Sequence, residues 1–150
     1  MIPEQHRKKV AWLGICVACV AGEEGLRTVA YKDPVGIPTI CFGETKGVKI
    51  GDQKTIDECH AMLGDRVLEF GRGVDACINH PLPPNRKAAY TSTAYNIGID
   101  GFCKSSMARK ENAGDIQGAC DSLRLYVYAK GIKLPGLVKR REQERALCLA

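Results

Sequence analysis

An α+β fold is predicted, with a small β-containing N-terminal lobe, a mainly helical C-terminal lobe and a cleft between them. Three observations lead there. Residues 26–50 hold short apolar runs broken by turn residues, the periodicity turns helical from Thr55, and start and stop signals mark further helices as far as Leu149. The chain has 150 residues, 45% of them hydrophobic, enough to build one core. Its 26% charged fraction and lack of internal repeats or low-complexity tracts exclude disordered, collagen-like and coiled-coil classes.

The elements follow in chain order. His6, Arg7, Lys8 and Lys9 precede Val10-Ala-Trp-Leu-Gly-Ile-Cys-Val-Ala-Cys-Val-Ala-Gly22, thirteen residues without a charge. This is the layout of an export signal. As a helix it covers roughly 20 Å, well short of the roughly 30 Å hydrocarbon core, so it would be a weak transmembrane anchor, able to enter a bilayer and leave it. Cleavage near Ala21, lipid attachment at Cys19 and an ordinary buried first helix are the alternatives. Residues 1–22 are therefore set apart as an N-terminal segment, with a β lobe over about 23–55 and a helical lobe over about 56–150.

In the β lobe, Val29, Tyr31, Ile37, Thr39, Ile40 and Phe42 are broken by Asp33-Pro34, Gly36, Pro38, Gly43 and Gly47, which predicts two or three strands. Thr55-Ile-Asp-Glu58 is a capping box, and Ile56, Cys59, Leu63, Val67, Phe70 and Val74 recur at helical spacing, with a bend expected around Gly71-Arg-Gly73. After Pro81-Leu-Pro-Pro84, Asn85 is expected to cap a helix that runs to Ile97 and closes at Gly98. Ser105 or Ser106 opens a short helix toward Asn112, Asp115 caps one reaching about Tyr128, and Pro135 opens the last, to Leu149.

Eight cysteines, at positions 16, 19, 41, 59, 77, 103, 120 and 148, fit an oxidised framework outside the cytosol, with the pairing left open. A zinc site is the rival reading. Only Cys16-Val-Ala-Cys19 has ligand-pair spacing, and His60 and His80 stand alone. The net charge of +5 favours an anionic partner: nucleic acid, an acidic membrane face or a cell-wall polymer. Nucleic acid is disfavoured by the 6% aromatic content and the absence of a binding motif. Phosphate cradles, serine-esterase elbows and zincin helices have no sequence support.

Glu24, Asp33 and Thr39 stand out as carriers of chemistry. Gly25 is expected to end the first helix with Glu24 on its last turn, Asp33 falls in a turn before Pro34, and Thr39 lies on the returning strand. A hairpin could bring two carboxylates and a hydroxyl to one spot, though helix-end and Asp-Pro acids also have routine structural roles.

The run EGLRTVAYKDPVGIPTICFGET closely resembles the active-site segment of the phage lysozymes, or endolysins, of glycoside hydrolase family 24, whose Glu, Asp and Thr positions it matches. AAYTSTAYNIG, KENAGDIQGACDSL and GLVKRREQERALC resemble the family's later helices, so the likeness spans residues 24–150. It implies a lysozyme-like fold and hydrolysis of the β-1,4 bond between N-acetylmuramic acid and N-acetylglucosamine in peptidoglycan, by a monomer needing no metal or cofactor. Glu24 would be the general acid, and Asp33 and Thr39 would position and activate a water, as in an inverting enzyme with carboxyl groups about 6.5–9.5 Å apart. Arg140 and Arg141 are candidates to stand beside Glu24. Neighbours on a helix point about 100° apart, so one of them is expected to reach it, the rest of the Lys/Arg run being a solvated face. Tyr31 and Asn96 are further candidates for substrate binding or support.

The resemblance also implies the pairs Cys41–Cys59, Cys77–Cys103 and Cys120–Cys148, each stabilising by about 3–4 kcal/mol in the chain-entropy picture. Cys16 and Cys19 are left to bond each other, stay free or exchange with a body disulfide. Two departures from the family are Gly43-Glu44-Thr45, where Gly-His-Thr is usual, and Tyr126, where tryptophan is frequent. Some family members are exported on an uncleaved signal-anchor that later leaves the membrane. Residues 10–22 look like one, implying export to the host periplasm with an initial tether to the inner membrane. A non-catalytic wall-binding module, or a zinc-stabilised nucleic-acid-binding module, is the alternative.

Overall fold

The computed structural model describes residues 3–150; Met1 and Ile2 of the expected N-terminal segment lie outside the described residues. Helix α1 (Glu4–Glu23) takes in the whole uncharged run. Trp12, Cys16 and Val20, four residues apart, form its buried stripe, while Ala11, Gly14 and Ala18 on the opposite face are exposed. The run thus packs on the body along one buried stripe, its outer face made of small residues. No described helix is long and apolar enough to cross a membrane.

The helix ends differently from expectation. Glu24 itself is the C-cap, donating its N–H to Val20 O and turning extended (φ −91°, ψ 130°), so Gly25 is not needed as a left-handed stop. Strands β1 (Arg27–Lys32) and β2 (Pro38–Cys41) form an antiparallel hairpin, Tyr31 opposite Thr39, with a register irregularity between Arg27 and Tyr31. The rest of the expected β lobe is loop, tied back by the bridges Val29–Gln53 and Ile40–Glu44.

Helix α2 (Ile56–Cys77) begins at the Thr55–Glu58 capping box and continues through the expected bend at Gly71-Arg-Gly73. Gly71 instead makes room for α1: a Cβ there would lie 2.4 Å from the Trp12 ring. Helix α3 (Pro84–Ile97) starts one residue before the expected cap. Pro84 fills the first turn, where its missing N–H costs nothing, and the Asn85 side chain instead donates to Leu147 O and Ala150 O. Residues 88–94 of α3 are all buried, including Thr91, Ser92 and Thr93, so this helix is the spine between α1, α2 and the C-terminal helix.

Short helices α4 (Ile99–Cys103), α5 (Ser106–Asn112, capped by Ser105) and α6 (Ile116–Ser122, capped by Asp115) follow. The helix expected to reach Tyr128 stops early, in one 3-10 turn (Leu123–Leu125), and strands β3 (Tyr128–Ala129) and β4 (Ile132–Lys133) make a small hairpin instead. Lys130-Gly131 at its tip, both left-handed, supply that turn. Helix α7 (Pro135–Leu149) closes the chain. Disulfides join Cys41–Cys59, Cys77–Cys103 and Cys120–Cys148, pinning β2 to α2, α2 to α4 and α6 to α7. Cys16 and Cys19 carry free thiols, Cys16 being buried.

Candidate active site

Glu24 leaves the end of α1 with its side chain 27% exposed, and its Oε1 accepts a hydrogen bond from Arg140 Nη1 at 3.1 Å. Arg140 Nη2 donates to Ser92 O at 3.1 Å, so α7 and α3 together hold the guanidinium against the carboxylate. Arg141 points elsewhere, as the helical offset requires: Nε donates to Tyr126 O, Nη2 to Asn96 Oδ1 and Nη1 to Glu144. Both arginines are buried, 5% and 1% exposed, so the middle of the Lys/Arg run is interior rather than a solvated face.

Glu144 is the residue the sequence reading missed. It is 3% exposed, accepts from Thr93 Oγ1 at 2.8 Å and lies 3.7 Å from Arg140 Nε as well as against Arg141. Two buried guanidiniums therefore face two carboxylates, Glu24 and Glu144, and Glu144 is what keeps the inner part of this group neutral. A signal existed, since Glu144 sits four residues after Arg140 and three after Arg141, on one helix face. It looked like surface pairing because nothing in a charged run announces burial.

The hairpin carries the other candidates. Asp33 Oδ1 accepts from the backbone N–H groups of Val35 at 2.9 Å and Ile37 at 2.8 Å, an Asx turn that locks the side chain and leaves Oδ2 uncommitted. Thr39 is 3% exposed, and its hydroxyl donates to Ile37 O at 2.9 Å. Tyr31 lies under the Arg27 guanidinium, 4.3 Å from the ring centre. Among the described residues no hydrogen bond or ion pair joins Glu24 to Asp33 or Thr39. The connection runs along β2 and into the turn that follows it, from Thr39 to Gly43. A Cβ at Gly43 would stand 3.6 Å from Glu24 Oε2, and its left-handed φ of +79° also calls for glycine.

Beside Glu24 a depression of about 300 Å³ is lined by Gly43, Arg66, Glu69 and Tyr95, among others. Glu44, at the position where the family usually has histidine, is bound by Arg66 through two nitrogens, so this departure is offset by an ion pair. Tyr95 OH donates to Phe42 O at 2.8 Å; burial, then the nearby Glu24 and Glu44 carboxylates, push its hydroxyl up to about 12, keeping it a donor at neutral pH. Tyr126, the other departure, directs its hydroxyl to the Ser106 N–H at 3.2 Å. Six of the eight cysteines are in disulfides, and no cluster of three or more possible metal-binding side chains occurs among the described residues.

Glu24 thus stands at a helix end beside a depression between the lobes, and Asp33 is fixed on the hairpin. The Phage lysozyme family matches residues 21–144. The SAR-endolysin of Bacteriophage PS119 is 42% identical over 129 residues, 85% of this chain and 77% of that protein. The fold superposes on the muramidase domain of SpmX from Asticaccaulis excentricus with a TM-score of 0.84 and 29% identity, covering 90% of this chain and 95% of that one. The active form of the P1 phage endolysin Lyz gives 0.81 at 29% identity (90% and 83% covered), whereas its secreted inactive form gives 0.50 at 28% identity (69% and 74%). With the match covering most of the chain and the acid-bearing helix end, hairpin and buried arginines in one fold, this chain belongs to the phage lysozyme family.

Proposed function

We propose that the chain is an endolysin muramidase that lyses the host cell by hydrolysing the β-1,4 bond between N-acetylmuramic acid and N-acetylglucosamine. Glu24 delivers a proton to the glycosidic oxygen as the bond to the muramic C1 breaks. Asp33 and Thr39 orient a water on the opposite face of the ring, Asp33 taking its proton, and the oxygen joins C1 with inversion. The observation that carries this reading is Glu24 itself, part-exposed at the end of α1 and held by Arg140 Nη1 at 3.1 Å. Arg140 keeps the carboxyl aimed, and Tyr31 and Asn96 are sugar-binding candidates. The excess of positive charge favours approach to the anionic wall.

Digestion of purified peptidoglycan should yield new reducing ends on N-acetylmuramic acid, appearing first as the α-anomer by NMR. A β-anomer would replace inversion by retention. Binding to the wall without new reducing ends would replace the enzyme by a wall-binding module.

Residues 10–22 act as a signal-anchor. The chain is exported to the periplasm with this segment in the inner membrane, and its release lets it pack as α1. The support is similarity to SAR-endolysins together with the closer fit to the active than to the inactive P1 form. While the segment lies in the bilayer, Glu24 sits at the membrane surface, away from Arg140. Fractionation should recover the full-length chain with membranes until depolarisation; full-length chain soluble in the periplasm beforehand overturns the tether.

A further inference from the structure

A second depression lies away from the site just described. About 420 Å³ in volume, it is bordered by the N-terminal half of α1, the C-terminal half of α2 and the start of α3. Twelve residues of helix, roughly 18 Å, separate Trp12 at this depression from Glu24. Among the described residues four cations line it, Lys8, Lys9, Arg72 and Lys87, and no carboxylate does. Lys8 is paired with Glu4 at 2.8 Å on an exposed face, and Lys87 with Asp75 at 2.7 Å. Lys9 and Arg72, both exposed, have no ion-pair partner among the described residues. The wall between these charges is apolar, formed by Trp12, Leu68 and Leu82. The Lys87 ammonium stands 4.3 Å from the Trp12 ring centre, so the charge and the apolar surface meet at one point.

We propose that this pocket, where Lys9, Arg72 and Lys87 converge over Trp12 and Leu68, binds the phosphate headgroup of an anionic phospholipid, with the first methylenes of an acyl chain on the apolar wall. Charge complementarity selects an anion. The apolar wall selects one with a hydrocarbon part, since inorganic phosphate would leave the half-buried Leu68 and Leu82 unused. The volume admits a glycerophosphate head and a short stretch of chain but not two full acyl chains. Nucleic acid fits poorly, because Trp12 is 5% exposed and offers no open face for a base to stack on.

The site has a structural consequence. Lys8, Lys9 and Trp12 come from α1 while Leu68 and Arg72 come from α2, so the pocket exists only when α1 is packed on the body. A lipid that binds it stabilises that packing by mass action. The protein would then hold a membrane lipid by the same helix end that its packed form has withdrawn into the fold. This does not depend on the glycosidase chemistry, and its failure would leave that reading untouched.

Trp12 is the only tryptophan in the chain, so intrinsic fluorescence reports on this pocket. The oxidised full-length protein is titrated with dihexanoyl phosphatidylglycerol below its micelle concentration, with dihexanoyl phosphatidylcholine and with inorganic phosphate. The expected result is a saturable change in Trp12 emission with phosphatidylglycerol, without the red shift that undocking of α1 would cause. Phosphatidylcholine and phosphate should bind at least about tenfold more weakly. The Lys9→Gln/Arg72→Gln double variant, altered only at exposed side chains outside the catalytic machinery, should bind about thirtyfold more weakly while its unliganded spectrum and muramidase rate stay as in the wild type. Equal affinity for phosphatidylcholine would reduce the site to a general apolar patch, and equal affinity for phosphate to a simple anion site. Either result, an unchanged affinity in the double variant, or no saturable signal overturns the proposal.

Discussion

Glu24→Gln is expected to lower the rate of peptidoglycan clearing by about 10² to 10⁴-fold while leaving the protein folded. The amide oxygen can still accept from Arg140 Nη1, so the 3.1 Å contact survives with a neutral partner, and Arg140 keeps Glu144 as its buried anion. What disappears is the proton for the leaving oxygen. The measurement is turbidity loss and reducing-end release, with circular dichroism and thermal midpoint as folding controls. Asp33→Asn is the companion: the asparagine Oδ1 can still accept from Val35 and Ile37, so the turn persists and the activity lost is chemical. Clearing by Glu24→Gln at more than a tenth of the wild-type rate would remove Glu24 from the role of acid.

Glu144→Ala is expected to cost about 3–5 kcal/mol, because it strands Arg141 and unbalances Arg140 in the interior without a replacement anion. For a chain of this size that is a fall in thermal midpoint of about 10 °C. Glu144→Gln, which retains the volume and an acceptor for Thr93, should lose less, and the gap between the two separates packing from charge. A midpoint for Glu144→Ala within about 2 °C of the wild type would mean that Arg141 is satisfied by Tyr126 O and Asn96 alone.

These two sites were legible to different degrees. Glu24, Asp33 and Thr39 could be picked out because they sit at punctuation, a helix end, an Asp-Pro turn and a strand start, where the chain itself limits what the backbone can do. Glu144 and Thr93 could not. A glutamate in a run of seven polar residues and a threonine in a helix of small residues look like surface until their neighbours are known. Their burial is set by α3 lying between α1, α2 and α7, a long-range arrangement that no local pattern encodes. The same holds for Gly71, which reads locally as a bend and serves instead as the seat of Trp12.

By itself the sequence determined the α+β class, the Thr55 capping box, most helix starts and the residue types of the site, because caps, turns and periodicity act over a few residues where backbone sterics and hydrogen bonding dominate. Only the tertiary structure decided which arginine meets Glu24, that the charged middle of α7 is interior, that Asn85 ties down the C-terminus rather than capping α3, and that residues 128–133 turn back as a hairpin. Each of those outcomes depends on groups far apart in the chain sharing one desolvated space, where an unpaired charge or backbone group is too costly to leave and the partner is chosen by packing.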